Sequence, residues 1–228
     1  MSASSRAGGL VIAIDGPSGA GKSTAARTLA DRLGYVFIDT GAMYRALALA
    51  ATRAGIGWDD EAALGQLAST LKIELAEGGR GIRLDEEDVS AAIRSGEVSR
   101  GASQVSQHRL VRQEMVSRQR ELGREGGVVL DGRDIGSAVF PDAELKCFLD
   151  AEVGRRAERR CAEIEATTGR SADLAIIERD IGERDHADTT RADSPLTRVA
   201  DAVLIDSTEL SPDEVVSRLL AEVRDRLG

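Results

Sequence analysis

The stretch that most constrains this chain runs from Gly16 to Ser23. It reads Gly-Pro-Ser-Gly-Ala-Gly-Lys-Ser and fills the spacing G-x-x-x-x-G-K-[ST]. An apolar run, Leu10 to Ile14, precedes it, and a helix-like stretch opens near Lys22. Strand, glycine-rich turn and helix in that order separate a phosphate-cradling loop from an accidental match. Gly16, Gly19 and Gly21 allow the backbone to curl until successive N–H groups face one anion. Lys22 is spaced to reach the outer phosphates, and Ser23 to offer a hydroxyl to Mg²⁺. The helix N-terminus adds positive partial charge at the same place. The expected ligand is a nucleoside triphosphate.

Composition narrows the setting of that loop. A chain of 228 residues suits one α/β domain carrying an insertion or two. No apolar run approaches the ~20 residues of a membrane span, and residues 1–9 are small and polar. They read as a flexible tail without a signal core, so the expectation is a cytoplasmic protein with no membrane partner. Cys147 and Cys161 are too few and too far apart for a disulfide framework, and His108 and His186 leave no zinc site. A net charge of −9 argues against nucleic acid as a partner. Among thirty basic residues only Lys22, Lys72 and Lys146 are lysines, so a lysine at the phosphate-loop position stands out.

Five apolar segments read as buried strands: Leu10–Ile14, Tyr35–Ile38, Gly127–Leu130, Leu145–Leu149 and Ala202–Ile205. Helical stretches separate most of them, which predicts an α/β fold with a five-stranded parallel sheet and helices on both faces. The first helix spans about Lys22 to Leu33 with Gly34 as its stop, and a second follows Gly41. Ser211-Pro212-Asp213-Glu214 is a capping box with proline at the first helical position, opening a last helix with an apolar face at Val215, Val216, Leu219, Leu220 and Val223. Two regions break the rhythm. Roughly 70 residues separate the second and third strands, too many for a simple crossover. Inside them Leu71–Leu75 and Gly81–Leu84 flank Gly78-Gly79 as a hairpin, and a helix resumes at Arg109–Leu122. From Glu152 to Ala200 the chain is dense in charge and poor in large apolar groups, which fits a mobile lid. The expected division is a core at 10–55, 109–150 and 200–228, an insertion at about 56–108, and a lid at about 152–195.

Ligands of open α/β sheets lie outside the carboxyl ends of the strands. The polar clusters of this chain fall there: Asp39-Thr40-Gly41-Ala42-Met43-Tyr44-Arg45 after the second strand, and Asp131-Gly132-Arg133-Asp134 after the third. The lid adds Arg155, Arg156, Arg159 and Arg160, then Glu183-Arg184-Asp185-His186, Asp188 and Arg191. Several arginines near one edge suggest a second anion, because guanidinium forks match phosphate oxygens in pairs.

The segment Ile12–Arg45 closely resembles the bacterial cytidylate kinases. So do Ala102-Ser103-Gln104-Val105-Ser106, the block from Asp131 to Gly136 with Val139-Phe140-Pro141-Asp142-Ala143, and the run from Glu183 to Leu196. The match holds in order over nearly the whole chain, so it is far more specific than the loop alone. The resemblance implies a P-loop NTPase fold with a monophosphate-binding insertion, acting as a monomer in pyrimidine nucleotide metabolism. It implies Mg²⁺-dependent transfer of the γ-phosphoryl group of ATP to CMP or dCMP. ATP would lie on Gly16, Pro17, Ser18, Gly19, Ala20, Gly21, Lys22, Ser23 and Thr24. Arg45, Arg133 and Arg184 would hold the acceptor phosphate, and Ser103, Arg112 and Asp134 would read the cytosine. Thr40 and Tyr44 would line the pocket, with Asp188 and Arg191 at the sugar. Lys22, Arg133, Arg184 and Arg159 form the expected catalytic set. Ser23 and Asp131, directly or through water, would meet the metal.

Several residues fit two readings. Asp134 suits a base contact or a local turn cap. Arg156, Arg159 and Arg160 suit charge neutralisation or a solvated helix face paired with Glu152 and Glu163. Trp58 reads as packing rather than recognition, and His186 as facing solvent. Other functions remain on the same scaffold, namely a kinase of another small molecule or a nucleotide-gated switch. The switch lacks the guanine-reading Asn-Lys-x-Asp motif.

Overall fold

The computed structural model describes residues 6–76, 79 and 81–227. Chain order is β1 (Val11–Asp15), α1 (Lys22–Leu33), β2 (Val36–Asp39), α2 (Thr40–Arg53), α3 (Glu61–Thr70), β3 (Ile73–Leu75), β4 (Ile82–Leu84) and β5 (Glu87–Asp88). Then come α4 (Gly96–Val105), α5 (Arg109–Leu122), β6 (Val128–Gly132), β7 (Leu145–Asp150), α6 (Val153–Thr168), α7 (Leu174–Thr190), β8 (Val203–Asp206) and α8 (Pro212–Leu227). Five strands form a parallel sheet in the order β2-β6-β1-β7-β8. The five expected strands are present, each ending a residue or two later than expected. Those ends share one chemistry: β1, β2, β7 and β8 stop at Asp15, Asp39, Asp150 and Asp206, and β6 carries Asp131.

The chain divides into two compact units, one of residues up to Val11 with 30–131, the other of 12–29 with 132–228. In the first, the helix α2 expected after Gly41 starts at Thr40, with Asp39 as its N-cap accepting from Ala42 N–H. Its alanine-rich face buries with Leu64 and Ala68 of α3, Ile82 and Leu84 of β4, Val98 and Val105 of α4, and Met115 of α5. Residues 56–108 therefore share one apolar core with α2 and α5 instead of closing over a core of their own. The expected hairpin forms as β3 antiparallel to β4, extended by β5. Glu77, Gly78 and Arg80 of its turn lie outside the described residues. So do Met1 to Ser5 of the expected tail, while Gly8 N–H donates to Glu125 C=O at 2.7 Å.

Every residue of β1, which enters the second unit at Ile12, is buried. Such a strand suits the middle of a parallel sheet, where both faces are covered. The segment expected to form a lid is two helices, α6 packed along α7, joined by a loop at Gly169, which ends α6 in the left-handed region. The capping box is reciprocal: Ser211 N–H donates to Glu214 Oε2 at 2.8 Å, and Glu214 N–H donates to Ser211 Oγ at 3.3 Å. Val215, Val216, Leu219 and Val223 of α8 are buried.

Candidate active site

The phosphate loop leaves β1 at Gly16 and enters α1 at Lys22. Gly16, Gly19 and Gly21 all take positive φ, at 148°, 79° and 91°. Gly16 is doubly constrained, because a Cβ there would sit 2.0 Å from Leu149 C=O. At Gly21 nothing lies within 4 Å, so only the backbone angle demands glycine. Ser23 and Thr24 are exposed in the first turn of α1, while Pro17 and Ala20 are buried. Lys22 is 5% exposed, and its Nζ donates to Pro17 C=O at 2.6 Å. Its ammonium thus stays with the loop that it is spaced to serve.

The same unit gathers Arg133, Arg184, Asp188 and Arg191. Asp188 on α7 is 7% exposed and accepts from Arg133 Nε at 2.7 Å. Burial alone would push its carboxyl up. Arg133, Arg184 and Arg191 outweigh that and hold it below the usual carboxylate range. Arg191 reaches Asp134 Oδ1 at 3.2 Å and donates from Nε to Ser194 C=O at 2.8 Å. Asp134 makes no side-chain cap to the π-helical turn Ile135–Val139 that follows it. Its carboxylate belongs to this arginine cluster, and the local-cap reading is dropped.

Lid arginines take different roles from one another. Arg156 is 6% exposed and commits its guanidinium to Ala151 C=O, Ser18 C=O and Asp185 Oδ2 at 2.8, 2.9 and 2.6 Å. Asp185 also accepts from Ser18 N–H at 3.3 Å, so it ties α7 to the phosphate loop. Arg159 caps carbonyl groups of Ser207, Thr208 and Leu210. Arg160 pairs with Glu163 on the helix surface at 2.7 Å, the solvated-face outcome. His186 is exposed.

In the first unit, Arg45 is half-buried and donates to Asp39 Oδ2 at 2.9 Å, while Asp39 Oδ1 accepts from Ala42 N–H at 2.7 Å. Asp39 and Asp131 are neighbours in the β2–β6 register, and Thr40 Oγ1 donates to Asp131 C=O at 2.6 Å. Asp131 is 4% exposed, and Arg112 on α5 is 2% exposed. Tyr44 is half-buried on α2 and Ser103 half-buried on α4. Trp58 stacks its indole over Gly101, two residues before Ser103, and donates to Ala48 C=O at 3.3 Å. Packing is its role here.

Sequence reasoning gave no function to Asp15, Asp39 or Asp185. For the first two the signal was available: an aspartate ending an apolar strand just before a turn or helix. Asp185 reaches Ser18 across 167 residues, which no local pattern announces. A cleft of about 220 Å³ is lined by Asp150, Ala151, Glu152, Leu204, Asp206 and Thr208. None of the anticipated residues lines it, and three carboxylates make it a poor seat for a polyphosphate.

A five-stranded parallel sheet with a glycine-rich loop closing onto α1 defines a P-loop nucleotide-binding protein. A structure of an uncharacterized protein from Eubacterium ventriosum is similar in fold, with a TM-score of 0.51 at 10% identity, over 94% of this chain and 98% of that one. The family model for cytidylate kinase matches residues 12–225. A cytidylate kinase of Geobacillus sp. (strain WCH70) is 49% identical over 95% of this chain and 97% of its own length. One of Symbiobacterium thermophilum is 50% identical over 94% and 96%. This chain belongs to the cytidylate kinase family.

Proposed function

We propose that this chain transfers the γ-phosphoryl group of ATP to CMP or dCMP with Mg²⁺, giving ADP and CDP or dCDP. The observation that carries the reading is the arginine cluster, Arg133, Arg184 and Arg191 around buried Asp188, in the same unit as the phosphate loop. A carboxylate already seated among guanidinium groups marks a place built for anions.

Phosphoryl transfer asks a protein for alignment and charge neutralisation more than for covalent chemistry. Lys22 and the loop N–H groups hold the triphosphate. Arg133 and Arg184 grip the acceptor phosphate, and Arg45 adds a third guanidinium. Ser103, Arg112 and Asp134 read the cytosine ring, whose amine needs an acceptor and whose carbonyl needs a donor. Thr40 and Tyr44 line the pocket, and Asp188 with Arg191 meets the sugar. Ser23 and Asp131 carry hard oxygen donors that suit Mg²⁺ and would hold it, Asp131 directly or through water. When bound, the metal neutralises charge on the transferring phosphates. A phosphate monoester is itself a nucleophile at neutral pH, so the acceptor needs no protein base. Arg159, expected in the catalytic set, spends its guanidinium on carbonyl groups of the loop after β8, so we assign it a positioning part that holds this loop to α6. The enzyme works as a cytoplasmic monomer in pyrimidine nucleotide supply.

Coupled ADP release with CMP, dCMP, UMP, AMP and GMP tests this. Turnover should appear with CMP or dCMP and stay near background without an acceptor. Turnover with AMP equal to or above that with CMP would refute the cytosine assignment.

A further inference from the structure

Four strand-end aspartates accept backbone N–H groups, and three do so locally. Asp39 accepts from Ala42, Asp150 from Ala151 and Asp206 from Thr208, each within three residues. Asp15 differs. Its two oxygens accept from Ile135 and Gly136 N–H, both at 2.8 Å, across 120 and 121 residues. Those donors directly follow Arg133 and Asp134, while Asp15 directly precedes the phosphate loop. All of these residues lie in one compact unit.

The carboxylate also sits where its charge is unwelcome. It is 6% exposed, and burial lifts its pKa to about 6, with Asp134 pushing the same way and the two N–H groups and Lys22 pulling back only in part. A buried negative charge next to a triphosphate loop disfavours the ligand that the loop exists to hold. Its geometric return is bidentate: one side chain fixes two consecutive N–H groups and so sets the position of the turn that carries Arg133.

We propose that Asp15 is a positioning residue that holds the Arg133–Asp134 turn in register with the phosphate loop, and thereby sets the line from the γ-phosphoryl group to the acceptor phosphate. It touches neither substrate. This rests on the assignment of Arg133 and Asp134 to the acceptor. The role has a signature that a stabilising contact lacks. Removing the charge should leave ATP binding unchanged or tighter while the transfer step slows.

The test compares wild type, Asp15→Asn and Gly136→Ala by CMP-dependent ADP release, by calorimetric binding of a non-hydrolysable ATP analogue, and by thermal unfolding. In Asp15→Asn the amide cannot accept both N–H groups. We expect kcat to fall about tenfold or more, as misplacement by a fraction of an ångström does, with analogue affinity equal to or above wild type. Gly136→Ala keeps the charge and sets a Cβ in ordinary contact with Asp15 Oδ2 at 3.4 Å, while the tighter 3.2 Å approach to Lys146 Cγ and Cδ forces the turn or the lysine chain to give. It should lower kcat by about threefold at unchanged analogue affinity. The proposal is overturned if kcat stays within about twofold of wild type in both variants, or if analogue affinity and kcat fall together. Should Asp15→Asn fail to fold, Asp15→Glu takes its place, keeping the charge on a longer arm that displaces the turn: slowed transfer at unchanged analogue affinity supports the proposal, unchanged transfer overturns it. A wild type inactive with CMP would instead sink the assigned function, and this inference with it.

Discussion

The phosphate loop and the arginine cluster both grip anions, yet they are built in opposite ways. The loop uses eight consecutive residues, three glycines at positive φ and one ammonium folded onto its own carbonyl. The cluster uses side chains from residues 133 to 191, and it already holds a carboxylate. A loop made of backbone is ready before its ligand arrives, because the positive-φ glycines fix the direction of its N–H groups. A cluster made of arginines would repel itself if left empty, so Asp188 and Asp134 balance it. The loop is therefore sensitive to backbone change, and the cluster to charge change.

The largest expected effect is at the loop. Gly16→Ala drives a Cβ to 2.0 Å from Leu149 C=O at a φ that L-residues avoid, so we expect loss of folding or more than ~4 kcal/mol of stability in chemical denaturation. Asp188→Asn comes next. It removes the carboxylate that Arg133, Arg184 and Arg191 share, which should cost about 2–3 kcal/mol, less than a fully enclosed pair because Arg133 keeps some exposure. The Asp188 contribution is present above its unfolded pKa, 3.8, and is lost only as pH falls through a still lower folded value, so this difference should stay flat from pH 5 to 8.

Asp15 carries the opposite sign. Its pKa rises from 3.8 to about 6 on folding, so its contribution is full below 3.8 and is lost as pH rises through 6. Wild type should therefore gain stability relative to Asp15→Asn between pH 7 and 4.5, by about 2 kcal/mol in denaturant titrations. Two buried aspartates of one unit would then show contrasting pH profiles. A matching slope for both would break the distinction. Gly21→Ala separates crowding from backbone angle: with open space around the Cβ, it should cost only about 1–2 kcal/mol. Smallest is Ser211→Ala, which removes one half of the α8 capping box and should lower stability by about 1 kcal/mol with turnover unchanged.

What could be read from the chain divides along the same line. Strands, the loop and the α8 cap were legible because each is set by neighbours in sequence: apolar runs, a fixed glycine spacing, Ser211 three residues before Glu214. The compact units were not, because the alanine-rich face of α2 shares its core with helices from the stretch that composition alone sets apart as an insertion. Arg133, Arg184, Asp188 and Arg191 could be named from resemblance, but no pattern gives their pairing. Arg156 shows the same limit. As a sequence position it suits a phosphate-neutralising group or a helix-surface charge equally, and only the fold reveals it buried against Ser18 and Asp185.

Separate grips on two anions should be separable by mutation. Calorimetry of CMP alone, and of a non-hydrolysable ATP analogue alone, on wild type, Lys22→Ala and Arg133→Ala tests this most directly. The expected result is crossed: Lys22→Ala loses the analogue and keeps CMP, while Arg133→Ala loses CMP and keeps the analogue. Equal loss of both ligands in either variant, with the fold intact, would contradict it.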